Sequence, residues 1–252
     1  MKGDGREKMS FEERALRAFP TPGHLAQIID TTLLRPEAGE SDYRGFLREA
    51  RDYGFRCACL PLCHLPLARL ELEGSGVRVG GVLGFPFGYT PTDVKKAEAV
   101  YALQQGAQEM DMVINITALK SRRFGVVRED IDEVVRLARL YDRGKGEGHV
   151  MVKVILETCY LTPKEMREAA MLAVEAGADF VKTSTGMGPG GARAEDVVLL
   201  RETVGGACGV KASGGIRRLS EVLEMVEAGA SRIGTSSAAA IMQEYLNLYR
   251  WR

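Results

Sequence analysis

Two kinds of segment alternate along the chain, and this alternation limits the fold more than any other feature of the sequence. One kind is short, apolar and often β-branched, whereas the other is longer and charged, with apolar residues at helical spacing. The short segments predict strands near residues 28–33, 55–60, 77–83, 109–114, 150–156, 179–183, 209–212 and 232–235. The longer segments predict helices near residues 41–53, 65–72, 92–105, 128–142, 162–176, 194–203, 220–228 and 237–249. Strands that alternate with helices of this length indicate parallel βαβ units.

Eight strand–helix pairs favour a closed α/β barrel, the (βα)8 or TIM barrel, over a doubly wound sheet. The chain has 252 residues, which is the size of one such barrel. A doubly wound sheet would usually carry a glycine fingerprint after its first strand, and this sequence has none there. We therefore expect a single barrel domain over residues 24–252, preceded by a short polar N-terminal extension over residues 1–23.

Charge and composition argue against several classes of protein. The formal net charge is zero and no run of like charge is long, so neither a nucleic-acid partner nor an anionic membrane is indicated. No apolar run reaches the roughly 18 residues that span a bilayer, and the first ten residues lack the apolar stretch of a secretory signal. The five cysteines are an odd number and do not form a secreted disulfide framework. We expect a cytoplasmic protein.

The cysteines and histidines do not predict a metal site. The spacing of Cys57, Cys59 and Cys63 is not that of a closed zinc site, and the three histidines of the chain are scattered. Buried apolar thiols are the simpler interpretation. Cys59 is the one for which we also consider a position inside the barrel, where an aldehyde could reach it.

Three lysines lie inside apolar strands, whereas the other seven lie in polar or helical contexts and are expected to be solvated. Lys153, Lys182 and Lys211 belong to the fifth, sixth and seventh predicted strands, and adjacent strands are about 4.8 Å apart. An ammonium group is costly to bury unless it is paired or loses its proton. A second cation nearby lowers the pKa of a lysine, and a neutral amine is what Schiff-base catalysis needs. The alternative is that each lysine is a structural cation, paired with a carboxylate such as Asp111 or Glu157.

Carboxylates occur on the first and fourth predicted strands. Alternation places Glu109 and Asp111 on one face of the fourth strand, with Asp111 nearer the C-terminal end, where barrels carry their active sites. If that face is inward, Asp111 can hold Lys211 charged and relay protons through a water, or it is only a salt-bridge partner. Asp30 ends the first strand, where it could bind a substrate hydroxyl or cap a turn. We count Asp30, Thr32 and Lys153 as supporting residues of the site.

Glycine-rich turns follow the last three predicted strands. Residues 213–216 and 233–237 follow the seventh and eighth strands, and the second of these turns opens the last helix. Glycines expose backbone N–H groups and a helix N-terminus favours an anion, so these turns are typical of a phosphate site. A third loop, residues 186–191, follows the sixth strand and could close over the same ligand.

Seven segments, taken in order, resemble the deoxyribose-phosphate aldolase family over residues 25–240. They are Ile29–Leu34, Gly84–Gly88, Glu109–Asp111, Lys153–Glu157, Phe180–Gly186, Val210–Ile216 and Ile233–Ser237. The resemblance implies a class I aldolase of deoxyribonucleotide catabolism, which reversibly cleaves 2-deoxy-D-ribose 5-phosphate to D-glyceraldehyde 3-phosphate and acetaldehyde. It implies Lys182 as the Schiff-base lysine, Lys211 as the lysine that tunes it, and Asp111 as the proton-relay carboxylate. It also implies a homo-oligomer, a dimer or tetramer, with no metal or organic cofactor, and phosphate contacts from Gly186, Gly214, Gly215, Gly234, Ser236 and Ser237.

The sequence departs from the family pattern at two places. Thr31 stands where members often carry a histidine, and Met187 stands where a lysine often follows the glycine, so a phosphate cation is lost.

Two other functions stay open at this point. One is another phosphosugar barrel, either a different Schiff-base aldolase or an isomerase, which needs a carboxylate or thiol base and no imine. The other is a non-catalytic protein that binds a phosphosugar.

Overall fold

The chain folds as a closed barrel of eight parallel strands. The computed structural model describes residues 9–145 and 149–250. Each strand pairs in parallel with its neighbour in chain order, and β1 closes on β8. The strands are β1 (Ile29–Thr32), β2 (Cys57–Leu60), β3 (Arg78–Leu83), β4 (Glu109–Val113), β5 (Met151–Ile155), β6 (Phe180–Lys182), β7 (Gly209–Ser213) and β8 (Arg232–Thr235). The predicted (βα)8 barrel is confirmed.

Helices surround the barrel in the predicted order, with bounds that differ from the predicted ones by a few residues. The eight predicted helices are α3 (Glu40–Tyr53), α4 (Leu65–Glu71), α5 (Thr92–Gln104), α7 (Phe124–Lys145), α8 (Pro163–Glu175), α9 (Ala194–Val204), α10 (Leu219–Glu227) and α11 (Ala238–Tyr249). Three short helices were not predicted: α1 (Phe11–Ala18), α2 (Pro22–Ala26) and α6 (Ile116–Lys120). The five residues of α2 and of α6 are too few to show an apolar period. The segment of α1 is amphipathic, but it was taken as part of a polar extension. In the ranges that the structure describes, no helix is long and apolar enough to cross a membrane.

The N-terminal segment that we expected to be a polar extension contains α1. Ser10 caps this helix by accepting from the Glu13 N–H, and the Glu13 carboxylate accepts from the Ser10 N–H in return. Ala15 and Phe19 are buried, and Tyr245 of α11 donates a hydrogen bond to the Phe19 carbonyl. Residues 9–23 are therefore packed on the barrel, and residues 1–8 of the expected extension lie outside the described residues.

Lys95 was expected to be solvated, and that prediction is wrong. The Lys95 side chain is fully buried between α5 and α7, and its Nζ donates to Asp130 Oδ2 at 2.6 Å and to the Val113 carbonyl at 3.1 Å. Asp130 also accepts from Thr92 Oγ1 at 2.5 Å. The pair ties two helices to the end of β4. Its partner lies 35 residues further along the chain, so the period of α5 alone does not reveal it.

Substituting Lys95 tests how much the Lys95–Asp130 pair contributes to the free energy of unfolding. We expect Lys95→Met to lower the free energy of unfolding by about 3–5 kcal/mol, because Asp130 would keep a buried charge without its partner. The adjacent Lys96 is the matched control, since it is partly exposed and pairs with Asp93 and Glu133 on the surface. Lys96→Met should change stability by less than about 1 kcal/mol. Urea unfolding measures both, and equal effects would contradict the assignment.

Candidate active site

The three strand lysines meet inside the C-terminal half of the barrel. The register pairs Lys182 of β6 directly with Lys211 of β7, and it pairs Lys153 of β5 with Phe180, two residues before Lys182. Lys153 and Lys211 have no exposed surface, whereas Lys182 keeps 3% of its surface exposed. Lys182 is therefore the lysine of the three that a molecule in the mouth of the barrel can reach.

One carboxylate contacts the amino groups of all three lysines. Asp111 accepts from Lys153 Nζ through Oδ1 at 2.7 Å, and from both Lys182 Nζ and Lys211 Nζ through Oδ2 at 2.7 Å. The side chain is 1% exposed, and β4 places it on the inner face of the barrel. A carboxylate within 2.7 Å of two lysines can pass protons between them and a bound molecule.

A second group of charges lies deeper in the barrel. Asp30 accepts from Lys211 Nζ at 2.5 Å through Oδ2 and from Arg232 Nη1 at 2.5 Å through Oδ1. Glu109 lies 2.5 Å from Lys153 Nζ and accepts from Arg232 Nη1 at 3.2 Å. Asp30 is thus fully buried and does not reach the mouth, where it was considered as a contact for a substrate hydroxyl.

Arg232 was missed by the sequence analysis. It is the first residue of β8, it is 4% exposed, and its guanidinium lies 5.3 Å from the centroid of the Phe180 ring. The signal that identified the lysines, an ionisable residue in an apolar strand, applies to Arg232 as well. The sequence analysis included it in the eighth predicted strand, residues 232–235, but considered only lysines as cations inside strands.

The electrostatic environment separates Lys182 from the other two lysines. Burial opposes the charged form of each lysine. For Lys153 and Lys211 the attraction of buried carboxylates outweighs burial, and the pKa of each is raised. For Lys182, burial, helped by repulsion from Lys211, outweighs the attraction of Asp111, and its pKa is lowered. Burial also disfavours the charged form of Asp111, but the three lysines hold the pKa of that carboxyl well below its usual range.

Cys59 faces this group of charges from β2. Burial is the main cause that raises the pKa of the Cys59 thiol to about 11, with a further contribution from Asp111. The thiol is therefore protonated at neutral pH. Cys59 is inside the barrel, as considered from the sequence, but it is not a thiolate base there.

A cleft of about 460 Å³ opens above Lys182 at the C-terminal end of the barrel. It includes Thr32 from the first strand and most of the residues that were expected to contact phosphate. The latter are Gly186, Gly214, Gly215, Gly234 and Ser236. Ser237 does not line the cleft, and its backbone N–H donates to Thr235 Oγ1 at 2.9 Å. The site thus brings together five of the six expected residues around one opening.

The three glycine-rich loops pack against one another beside this cleft. The Ala192 N–H donates to the Gly214 carbonyl at 3.0 Å. A Cβ on Gly191 would lie 2.2 Å from that same carbonyl oxygen, so this contact requires glycine. The loop after β6 is therefore fixed on the loop after β7, and the two form one wall.

Two arginines line the cleft that the sequence analysis did not single out. Arg217 follows the glycine turn after β7, and Arg35 follows β1. Met187, which replaces an expected lysine, is 42% exposed and also lines the cleft. The wall therefore carries cationic side chains although it lacks the lysine at position 187. Their signal in the sequence was their place immediately after strand-end motifs.

One group of residues has the donor types of a metal site. Asp30, Cys57 and Glu109 bring ligand atoms within 4.8 Å of one another, and it is the only such group in the part of the chain that the structure describes. Lys153 and Arg232 already lie against these carboxylates. Burial raises the pKa of the Cys57 thiol well above its usual value, which disfavours a metal-binding thiolate. These residues fit an ion-pair network better than a metal ion.

Comparisons with known proteins identify a family of aldolases that this chain resembles. Residues 72–244 match the model of the DeoC/LacD family aldolases. A deoxyribose-phosphate aldolase of Carboxydothermus hydrogenoformans is 52% identical over 219 residues, which cover 87% of this chain and 94% of that protein. One of Thermococcus kodakarensis is 51% identical over 87% of this chain and 96% of its own length. The solved structure of the deoxyribose phosphate aldolase of Aeropyrum pernix, described as tetrameric, superposes with a TM-score of 0.84 at 38% identity, covering 94% of this chain and 97% of that one.

Proposed function

The chain belongs to the DeoC/LacD family of aldolases, and on that premise we propose that it is a deoxyribose-phosphate aldolase that works through a Schiff base at Lys182. The observation that carries the assignment of the nucleophile is the position of Lys182. Of the three strand lysines it alone lines the cleft, and it alone has a lowered pKa. A neutral amine at the mouth of a barrel is the group that condenses with an aldehyde.

The proposed reaction begins when the Lys182 amine adds to the C1 aldehyde of open-chain 2-deoxyribose 5-phosphate. Loss of water gives an iminium, which withdraws electrons from the adjacent carbon. The C3 hydroxyl then gives up its proton, and the C2–C3 bond breaks to release glyceraldehyde 3-phosphate. The remaining two-carbon enamine is protonated at C2, and hydrolysis of the resulting iminium frees acetaldehyde and Lys182.

Asp111 and Lys211 supply the proton transfers. Asp111 Oδ2 is 2.7 Å from both Lys182 Nζ and Lys211 Nζ, so a proton that leaves the attacking amine has an acceptor within hydrogen-bond reach. Lys211 stays charged because its pKa is raised, and its charge disfavours protonation of Lys182. A water between these groups and the substrate would carry the proton to C2. Lys153 and Asp30 hold Asp111 and Lys211 in place.

The glycine-rich wall binds the phosphate in this proposal. Gly186, Gly214, Gly215, Gly234 and Ser236 line the cleft, and glycine backbone N–H groups with a serine hydroxyl would be neutral donors to a phosphate there. Ser236, which lines the cleft, lies two residues before α11, and the N-terminus of a helix favours an anion. Arg35 and Arg217 add positive charge where Met187 supplies none.

Arg217 provides a direct test of phosphate binding. We expect Arg217→Met to raise KM for 2-deoxyribose 5-phosphate roughly 10- to 100-fold, since a charged hydrogen bond to phosphate would be lost. The KM for unphosphorylated 2-deoxyribose should stay within about twofold, because that substrate lacks the anion. The neighbouring Arg218 is exposed and does not line the cleft, so Arg218→Met is the matched control. Equal effects on both substrates would contradict the assignment.

Product analysis tests the proposed function itself. Incubation with 2-deoxyribose 5-phosphate should yield glyceraldehyde 3-phosphate and acetaldehyde in equal amounts, and both are resolved by NMR. An isomerase would instead give a five-carbon phosphosugar, and a binding protein would return the substrate unchanged. The protonated thiol of Cys59 leaves an isomerase without a thiolate base beside Lys182.

The assembly and location of the protein are part of the same proposal. The Aeropyrum pernix relative is described as a tetramer, and we propose that this chain is a cytoplasmic homo-oligomer, a dimer or tetramer, with one barrel domain over residues 24–252. Light scattering coupled to gel filtration gives the number of subunits. A monomer at micromolar concentration would contradict the oligomer.

A further inference from the structure

The buried charges inside the barrel do not balance. Over residues 9–145 and 149–250, four buried cations and three buried carboxylates form one network of ion pairs in the barrel interior. The cations are Lys153, Lys182, Lys211 and Arg232, and the carboxylates are Asp30, Glu109 and Asp111. Arg78 approaches Glu109 at 3.5 Å from the rim, but its side chain is 23% exposed, so solvent screens its charge and it is not counted among the buried cations. The buried carboxylate of Glu157 accepts instead from Thr185 and lies outside the network.

An unbalanced buried charge is costly, and an ionisable group relieves it by losing its proton. Arg232 cannot do so, because a guanidinium stays protonated in proteins. Lys211 contacts two carboxylates, Asp30 at 2.5 Å and Asp111 at 2.7 Å. Lys153 likewise contacts Glu109 at 2.5 Å and Asp111 at 2.7 Å.

Lys182 contacts fewer carboxylates than the other cations do. It contacts Asp111 alone, through the same oxygen that Lys211 uses. Lys182 is therefore the lysine whose protonated form is least stabilised, and it is the one that loses its proton. Arg232 bonds both Asp30 and Glu109. Because its charge is permanent, these two carboxylates have less negative charge left to stabilise the lysines, and one lysine must lose its proton to balance the network.

We propose that Arg232 is a positioning residue whose permanent charge keeps Lys182 neutral and therefore nucleophilic, acting through Asp30 and Glu109. This inference rests on the proposed role of Lys182 and extends it to a residue in the second group of charges. Arg232 touches no substrate in this account. By bonding Asp30 and Glu109, it limits how much carboxylate charge is left to stabilise the lysines.

The other groups around these residues do not alter the charge count. Arg232 also faces Cys57, Phe180 and Met151. Lys182 faces Cys59, and Arg35 and Arg217 line the same cleft as further cations. Both thiols are protonated at neutral pH because burial raises their pKa values. The raised pKa of Arg232 and the lowered pKa of Lys182 agree with this distribution.

Removing the charge of Arg232 should raise the pKa of Lys182. In Arg232→Met three cations face three carboxylates, so Lys182 can stay protonated. We expect an alkaline shift of about one pH unit or more in the titration of Lys182, with a matching shift in the ascending limb of kcat/KM. Arg232→Lys keeps a cation at the site and should leave the titration near that of the wild type.

A double variant separates charge from packing. Arg232→Met combined with Glu109→Gln removes one cation and one carboxylate, so three cations again face two carboxylates. We expect the pKa of Lys182 to return to within about half a unit of its wild-type value. A purely structural role for Arg232 predicts the opposite, since the double variant would then be more perturbed than the single one.

The titration is read without relying on turnover. The intact protein is labelled with acetic anhydride across a pH series, and peptide mass spectrometry gives the extent of acetylation at Lys182, with the exposed Lys164 as reference. A wild type that shows no retro-aldol turnover refutes the proposed function, whereas the labelling titration still reports the pKa of Lys182. An unshifted Lys182 in folded Arg232→Met overturns the inference. If the single variant does not fold, a double variant whose Lys182 titrates like Lys164 overturns it.

Discussion

Lys182→Leu should abolish retro-aldol turnover while the barrel remains folded, because no other amine lines the cleft close to Asp111 in the described structure. We expect kcat to fall by roughly 10⁴-fold or more, as for the loss of a covalent nucleophile. Leucine fills much of the buried volume of the lysine side chain. It also removes a buried amine whose protonation the network disfavours, so the free energy of unfolding should be unchanged or slightly higher. Steady-state kinetics and urea unfolding measure the two effects.

The matched control for this variant is Lys164→Leu. Lys164 lies on α8, its side chain is 72% exposed, and its nearest acidic partner, Glu168, is 3.9 Å away. Its substitution should leave kcat within about twofold of the wild type. Turnover by Lys182→Leu at more than a few per cent of the wild-type rate would show that the nucleophile lies elsewhere.

Asp111→Asn carries the second largest expected effect, and it acts on both activity and stability. Asparagine cannot take the proton of Lys182, so we expect kcat to fall by about 10²- to 10⁴-fold. The substitution also leaves three lysines around a neutral amide, and breaking a buried ion pair costs about 3–5 kcal/mol. The exposed Asp93, whose side chain is 93% exposed, provides the control Asp93→Asn.

The pH dependence of stability identifies the cause of that loss. The pKa of Asp111 is lowered in the folded state, so its charge stabilises the fold above its ordinary pKa of 3.8, and that stabilisation is lost as the pH falls further. In Asp111→Asn the buried lysines lose their shared carboxylate, and their pKa values fall. The variant should therefore gain stability between pH 7 and pH 9.5 as those lysines lose protons. A constant deficit across this range would instead indicate a packing defect.

The barrel could be predicted because its signal is repeated along the chain. Each strand shows an apolar run of its own, and the predicted bounds differ from the observed ones by at most two residues, as at β2, which begins at Cys57 instead of residue 55. Lysines in apolar strands were equally visible, because an ammonium group in a β-branched run violates the ordinary pattern of burial. The contact of Lys182 with Lys211 then follows from neighbouring strands in register.

The features that were missed depend on partners distant in sequence. Lys95 looks like a surface residue of an ordinary helix until α7 brings Asp130 against it. The role of Arg232 depends on its ion pair with Asp30, which lies 202 residues earlier in the chain. Neither pairing follows from local periodicity, because periodicity indicates which face is buried and not which polar group will be opposite. The charge count in the barrel interior therefore required the structure.

Borohydride trapping with 2-deoxyribose 5-phosphate, followed by peptide mass spectrometry, is the most direct test of Lys182 as the Schiff-base lysine. We expect a single reduced adduct on Lys182, formed in the wild type and in Lys164→Leu and absent from Lys182→Leu. An adduct on Lys153 or Lys211, or no adduct on a folded protein that still cleaves the sugar, would contradict it.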